Sequence, residues 1–214
     1  MDNFLIEQIQ SSEIEEVSII LMNAFLTNPA YAAVFKDKFR LEEGLQWLFR
    51  ASLSINNQKQ TLTMVVKERN SMKIIGTFTL IPPQGVKRNI RAYTKIGIWS
   101  FISKFGFYTL IRMLNLDSIN KDLLIKSLKS SKHYYLSMVV IKEEYRGKGI
   151  ASFALKQTIN NLIDSNPTCR VIGLTTQLPE NVVFYSRLGF NKLDEGYVTF
   201  KESKYYNYTM KYDL

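Results

Sequence analysis

Apolar positions follow two rhythms along the chain, and their order predicts an α/β protein. Phe4 to Ile9 is a short mixed run that reads as an opening strand. Ser12, with Glu15 three residues on, has the form of a capping box, and Ile14, Val17, Ile20, Leu21 and Ala24 form a helical stripe after it. Asn28-Pro29 is expected to stop that helix. Leu41 to Leu53 repeats the pattern through Leu45 and Leu48. Thr61–Val66 and Lys73–Ile81 read as strands joined at Asn70-Ser71, hence a hairpin. Pro82-Pro83-Gln84-Gly85 ends it. Residues 90–131 carry helical periodicity interrupted at Gly97 and Gly106, which predicts two or three helices.

The second half alternates strand and helix. Tyr134–Ile141 is apolar with little alternation, as in a strand buried on both faces. A loop over 142–149 leads into a helix over Ile150–Ile163, which Asn166-Pro167 breaks. Val171–Thr175 reads as a strand, and Pro179–Leu188 as a helix closed by Gly189 at its C′ position. Two last strands are expected around Val198 and over Tyr206–Met210. No repeat and no linker composition divides the 214 residues, so the expected organisation is one domain over 1–214.

Composition changes this picture mainly by exclusion. One cysteine, Cys169, cannot form an internal disulfide, and one histidine, His133, makes a structural zinc site an unsuitable reading. No metal is expected. Met1-Asp2-Asn3-Phe4 has no basic segment followed by an apolar stretch, so it does not read as a signal peptide. Ile96 to Ile111 carries Lys104 and is too short to span a bilayer. The expected setting is reducing and cytoplasmic.

The net charge of +9 is unevenly distributed. Residues 1–60 carry 5 basic and 8 acidic side chains, 61–135 carry 13 and 3, and 136–214 carry 10 and 8. Three readings of the basic middle third stay open. It is a solvated face, a nucleic-acid surface, or a field that attracts a polyanionic small ligand. The cations Lys67, Arg69, Lys73, Lys87, Arg88, Arg91, Lys95, Lys104 and Arg112 form no dense run.

The segment with the most chemistry is Val139-Val140-Ile141-Lys142-Glu143-Glu144-Tyr145-Arg146-Gly147-Lys148-Gly149-Ile150-Ala151-Ser152. A strand runs into a loop with two glycines, and a helix opens from it. Such a loop can turn backbone N–H groups toward one point, and the helix start adds unpaired donors and a positive dipole end. An anion fits there. Neither the P-loop nor the dinucleotide fingerprint matches, since Ser152 stands where the latter needs its third glycine. Taken alone, the loop is also readable as a plain turn.

Arg146-x-x-Gly149-x-Ala151, set between strand and helix, resembles the pyrophosphate-binding signature of the GCN5-related N-acetyltransferase (GNAT) family. Asn181-x-x-Phe184-Tyr185-x-x-x-Gly189-Phe190 resembles the family's second motif. The likeness is clear over 134–195 and looser over Ser12–Ile81. In motif style it is nearest to the puromycin N-acetyltransferase-like members, through His133-Tyr134-Tyr135-Leu136-Ser137 and Leu174-Thr175-Thr176, although those usually carry an acid where this chain has Thr175.

The resemblance implies a mixed, splayed central sheet flanked by helices, with a helical insertion over 82–132 between the third and fourth strands. It implies acetyl transfer from acetyl-CoA, as co-substrate, to an amine of a small molecule or peptide. Val139, Val140 and Ile141 would pair with the pantetheine arm. Arg146, Gly147, Lys148, Gly149, Ile150, Ala151 and Ser152 would wrap the pyrophosphate, and Asn181 and Phe184 would complete the cofactor side. Tyr185 would protonate the leaving thiolate as general acid, and a backbone N–H near Val139 would meet the oxyanion.

The general base is open. Ser137, expected on the same strand face as Val139, can order a water. His133 reads as structural, Glu143 and Glu144 as surface charges, and Cys169 as core. Tyr93, Trp99, Phe101, Phe105, Phe107 and Tyr108 crowd the insertion, which either covers a sheet edge or walls the acceptor pocket; residues 90–115 are expected in the acceptor site. Two other functions remain: an acyl-CoA-binding module without turnover, and a basic nucleic-acid-binding protein. For the enzyme, no nucleic-acid partner and no membrane span are expected, with monomer and homodimer both open.

Overall fold

A computed structural model describes residues 3–35, 38–57, 61–86, 94, 96–165, 169–200 and 203–214. Tyr93, the cations Lys87, Arg88, Arg91 and Lys95, and the break at Asn166-Pro167 lie outside the described residues. In chain order the elements are β1 (Phe4–Gln8), a 3-10 turn (Ser11–Glu13), α1 (Ile14–Phe25), α2 (Pro29–Val34), α3 (Lys38–Asn56), β2 (Leu62–Glu68) and β3 (Ile74–Ile81). Then come α4 (Ile98–Phe105), α5 (Phe107–Ser127), β4 (Tyr134–Ile141), a 3-10 turn (Glu143–Tyr145), α6 (Ile150–Ser165), β5 (Val171–Thr176), α7 (Pro179–Leu188), β6 (Asn191–Phe200) and β7 (Ser203–Asp213). The strands form one seven-stranded sheet in the order β1-β2-β3-β4-β5-β7-β6. Pairing is antiparallel except between β4 and β5. This is the expected mixed sheet, and α4 and α5 are the helical insertion between its third and fourth strands.

Strand alternation sends neighbours to opposite faces, which divides the core in two. Val65 and Ile74 pack with α1, α3 and the insertion, whereas Val66 and Ile75 pack with α6 and α7. Leu155, Ile172 and Leu174 are fully buried in the second layer, and each contributes about 1.5–3 kcal/mol by leaving water. The insertion is fixed by an aromatic column. The Trp47 and Phe101 rings lie 4.3 Å apart, Phe101 and Phe105 4.8 Å, and Phe35 and Phe105 6.1 Å. Gly173 lets α5 lie close on β5, since a Cβ there would meet Leu128 at 2.9 Å and Leu124 at 3.0 Å.

Several local expectations change. Asn28-Pro29 ends α1 but also starts α2. The Asn28 Oδ1 accepts from Ala30 N–H at 3.0 Å, and Pro29 occupies the first turn, where its missing N–H costs nothing. The capping box lies earlier than expected, on the 3-10 turn before α1: Glu13, not Glu15, reaches back to the Gln10 N–H at 2.8 Å. Strand β4 is half-open at Tyr135, Ser137, Met138 and Val139 rather than buried on both faces, because these residues border a cavity.

Candidate active site

The site begins where β4 and β5 part. Their pairing is confined to Tyr134↔Ile172 and Tyr135↔Gly173. Beyond it the two strands diverge, leaving the rest of the β4 edge open to a ligand that pairs like a strand. A bulge lies beside the gap. Against β3, Thr77 faces Val140 and Thr79 faces Ser137, so β4 carries one extra residue. Met138 absorbs it at φ +53°, a conformation that costs an L-residue energy and clusters at functional positions.

The bulge overturns one expectation. Met138 and Val140 pack with the first core, while Val139 packs with Leu136 in the second. Ser137 and Val139 therefore stand on opposite faces of β4, because the extra residue reverses the alternation. The Ser137 Oγ is buried and has no hydrogen-bond partner among the described residues. An orphaned buried hydroxyl is uncommon and is accounted for by a ligand or a water.

The gap opens on a cavity of about 230 Å³. Ser137, Val139, Asn181 and Tyr185 all border it, so four residues singled out in sequence meet there. Tyr185 is buried, with its ring centroid 5.0 Å from that of Phe184 and 5.5 Å from that of Phe190. Burial raises its phenol pKa well above the usual value, and nearby Tyr135 adds to the effect. The phenol is thus held protonated. Asn181 Nδ2 donates to Thr176 Oγ1 at 3.0 Å. Phe184 stacks behind Tyr185 and is not on the cavity wall.

The glycine loop follows β4. Lys142 N–H donates to Ile75 O at 2.8 Å, and Arg146 N–H to Glu143 O at 3.0 Å. Gly147 and Gly149 take φ +73° and +74°, which a side chain would strain. The first intrahelical bond of α6 runs from Phe153 N–H to Gly149 O at 3.0 Å. The N–H groups of Ile150, Ala151 and Ser152 precede it and have no acceptor within the helix. Arg146 Nε donates to Ile141 O at 3.0 Å and Lys148 Nζ to Glu144 O at 2.8 Å, so neutral carbonyls hold both cations on the loop. Nothing lies within 4 Å of where a Gly147 Cβ would sit. This exposed, donor-rich, positive cradle fits a pyrophosphate. Val140, Ile141 and Arg146 also border a second cleft against α1.

The remaining expectations divide. His133 Nδ1 lies 2.8 Å from Ser131 O, a local contact away from the cavity wall, and Cys169 is buried with Sγ 3.5 Å from Lys132 O. Glu144 is exposed and 3.7 Å from Lys73 Nζ. The insertion does wall the cavity, but not through the expected aromatics. Trp99, Phe107 and Tyr108 are exposed and Phe101 is core; Phe105 packs on Phe35 and Phe101. The wall is instead built from Ile98, Leu110, Met113, Leu114, Asp117 and Lys121. Asp117 escaped sequence reasoning, although it is one of three acids in a stretch with thirteen basic residues. Among the described residues, no group of His, Cys, Asp and Glu is placed to hold a metal ion, and no helix is long and apolar enough to cross a membrane.

Comparison with known proteins agrees with the geometry. No curated protein matches the chain. Among solved structures, an acetyltransferase from Corynebacterium glutamicum, described as histone acetyltransferase HPA2 and related acetyltransferase, superposes with a TM-score of 0.62 at 19% identity, over 98% of this chain and 95% of the other. NAA60 of Arabidopsis thaliana, bound to a bisubstrate analogue, gives 0.58 at 14% identity over 98% and 97%. Spermidine N-acetyltransferase of Vibrio cholerae, bound to CoA and spermine, gives 0.56 at 12% identity over 100% and 96%. These likenesses carry the fold. The sequence profile of the acetyltransferase (GNAT) family matches residues 28–190, which is most of the chain. With its splayed strands and glycine loop, the chain belongs to the GNAT acetyltransferase family.

Proposed function

We propose that the chain is an N-acetyltransferase that moves an acetyl group from acetyl-CoA to an amine of a small molecule or peptide, as one domain in a reducing, cytoplasmic setting. The observation that carries this reading is the parting of β4 and β5 directly onto a cavity bordered by Tyr185 and the unpartnered Ser137 Oγ. Acetyl-CoA as substrate supplies the thioester. Residues 146–152 would hold its pyrophosphate through backbone N–H groups, Arg146 and Lys148. The open edge of β4 over Val139–Ile141 would pair with the amides of its pantetheine arm, and Asn181 would border that arm.

The amine nitrogen attacks the thioester carbonyl carbon, and the carbon–sulfur bond breaks. Tyr185 keeps its proton at Oη in the buried site and delivers it to the departing sulfur. Such proton transfer contributes about 10²–10⁴-fold. A backbone N–H near Val139, held by the bulge, is the donor for the developing oxyanion. Ser137 Oγ orders the water that receives the proton shed by the amine. The insertion forms the acceptor wall.

The test is thiol release from acetyl-CoA across a panel of amines, with acetyl-CoA affinity read by calorimetry. Gly149→Glu places a carboxylate at the pyrophosphate cradle on a backbone at φ +74°. A folded variant is expected to lose acetyl-CoA binding. Unchanged affinity would remove the loop from the site, and acetyl-CoA binding without turnover on any amine would favour an acyl-CoA-binding module.

A further inference from the structure

We infer that the acceptor is a singly charged amine on a bulky apolar body, with its ammonium group held by Asp117 on α5. This rests on the acetyltransferase reading and narrows its substrate class. The cavity beyond the strand gap is bordered on one side by Trp47, Phe49, Ile98, Leu110 and Met113, with the neutral polar side chains Asn28, Ser52, Asn56 and Asn120 also on its wall. A body that covers such a wall is itself apolar, since it gains by displacing water from it. Among the described residues of this wall the charged side chains are Asp117 and Lys121.

Those two lie one turn apart on α5, with Lys121 Nζ 2.6 Å from Asp117 Oδ2. Their side chains are 44% and 35% exposed, so the pair by itself contributes little. A carboxylate offers about four lone-pair sites on two oxygens. Two carboxylate oxygens give Asp117 more acceptor sites than Lys121 takes, so an entering ammonium can share it. Its field reaches inward: it adds to the burial that raises the phenol pKa values of Tyr31 and Tyr135, both on the cavity wall. Asp117 on α5 shares the cavity wall with Tyr31 of α2 and Tyr135 of β4.

The same inventory argues against polycations. A polyamine or a basic peptide would bring several charges to one carboxylate already shared with a lysine, in a chain of net charge +9. A monoamine brings one charge and leaves the apolar side of the wall, Trp47, Phe49, Ile98, Leu110 and Met113, to apolar contact. Asp117 belongs to the insertion rather than to the sheet or the glycine loop, so the selectivity is built on the segment that closes the acceptor side. Its role is to bind and position the acceptor.

The experiment measures acceptor kinetics of the full chain at saturating acetyl-CoA with 2-phenylethylamine, hexylamine, spermidine and a lysine-rich peptide. At least one monoamine is expected to exceed spermidine and the peptide at least about tenfold in kcat/KM. Loss of a charge-assisted hydrogen bond corresponds to about 10–100-fold. Asp117→Asn should raise monoamine KM by that factor, with kcat and acetyl-CoA affinity nearly unchanged, and Asp117→Glu should restore part of it. A merely structural role would lower the melting temperature without this KM-selective change. Preference for spermidine or the peptide, an unaltered KM in Asp117→Asn, or no monoamine turnover while acetyl-CoA binds would each overturn the inference. A chain that fails to bind acetyl-CoA would overturn the acetyltransferase reading instead, and the inference with it.

Discussion

Tyr135 Oη lies 3.3 Å from Thr175 Oγ1, bridging β4 and β5 just past their last paired residues, Tyr135 and Gly173. This hydroxyl pair ties the two strands as they separate, so it sets the mouth of the gap. Thr175→Val keeps the side-chain shape and removes the partner of the half-buried Tyr135 phenol. An unsatisfied buried group costs about 1–3 kcal/mol. Denaturant unfolding should therefore show a loss of that size, and a loss below about 0.5 kcal/mol would mean that the bridge does not hold the strands.

Tyr185→Phe removes one hydroxyl and keeps the ring between Phe184 and Phe190. With Tyr185 as proton donor, kcat should fall about 10²–10⁴-fold while acetyl-CoA affinity stays within a few-fold. Wild-type turnover in the variant, where chemistry limits the rate, would exclude Tyr185 from proton transfer.

Much of the scaffold was legible because its signals are local. Tyr134–Ile141 and Pro179–Leu188 have the predicted bounds, and Gly189 closes its helix at φ +102°. One family motif follows the first of these segments directly, and the other lies on the second and the Gly189-Phe190 after it. The bulge at Met138 was not legible, since a non-glycine residue at positive φ leaves no mark in composition. Asn28-Pro29 was ambiguous for a physical reason: the pair that blocks one helix suits the first turn of the next. The insertion's contribution to the cavity wall was misassigned because aromatic richness does not tell which helix face meets a cavity. That choice belongs to tertiary packing, which turns Trp99 outward and Met113 inward.

The insertion's residues separate by experiment. Trp99 is 71% exposed and borders no part of the cavity, so Trp99→Ala should change stability by no more than about 0.5 kcal/mol and leave acceptor KM within about two-fold. Phe101 is 1% exposed and stacked on Trp47; its truncation should cost about 3–5 kcal/mol. Met113→Ala opens the cavity wall and should alter acceptor KM or acceptor choice at unchanged acetyl-CoA affinity. Melting curves and acceptor kinetics on the same samples check all three. An acceptor effect confined to Trp99→Ala would reverse this assignment.

Stability should fail on the alkaline side through the buried phenols. Burial raises the pKa values of Tyr31, Tyr135 and Tyr185, and raises that of Tyr205 to about 12. In the unfolded chain a tyrosine titrates near pH 10. The folded state therefore holds these protons more tightly than the unfolded state. Their contribution is fully present below about pH 10 and is lost as pH rises toward the folded values. Lys67 acts in the same direction, since hydrogen bonds to Glu13 and then Glu7 raise its pKa above that of a free lysine. For the buried Tyr185 phenol the loss is about 1.4 kcal/mol per pH unit above its unfolded value. Phenolate absorbance and circular dichroism followed together from neutral to strongly alkaline pH should show two groups among the twelve tyrosines. Exposed ones, such as Tyr108 and Tyr197, ionise with the fold intact, and the buried set ionises only as the dichroism collapses. Smooth titration of all twelve near pH 10 in a folded chain would show that the phenols around the cavity are in contact with water.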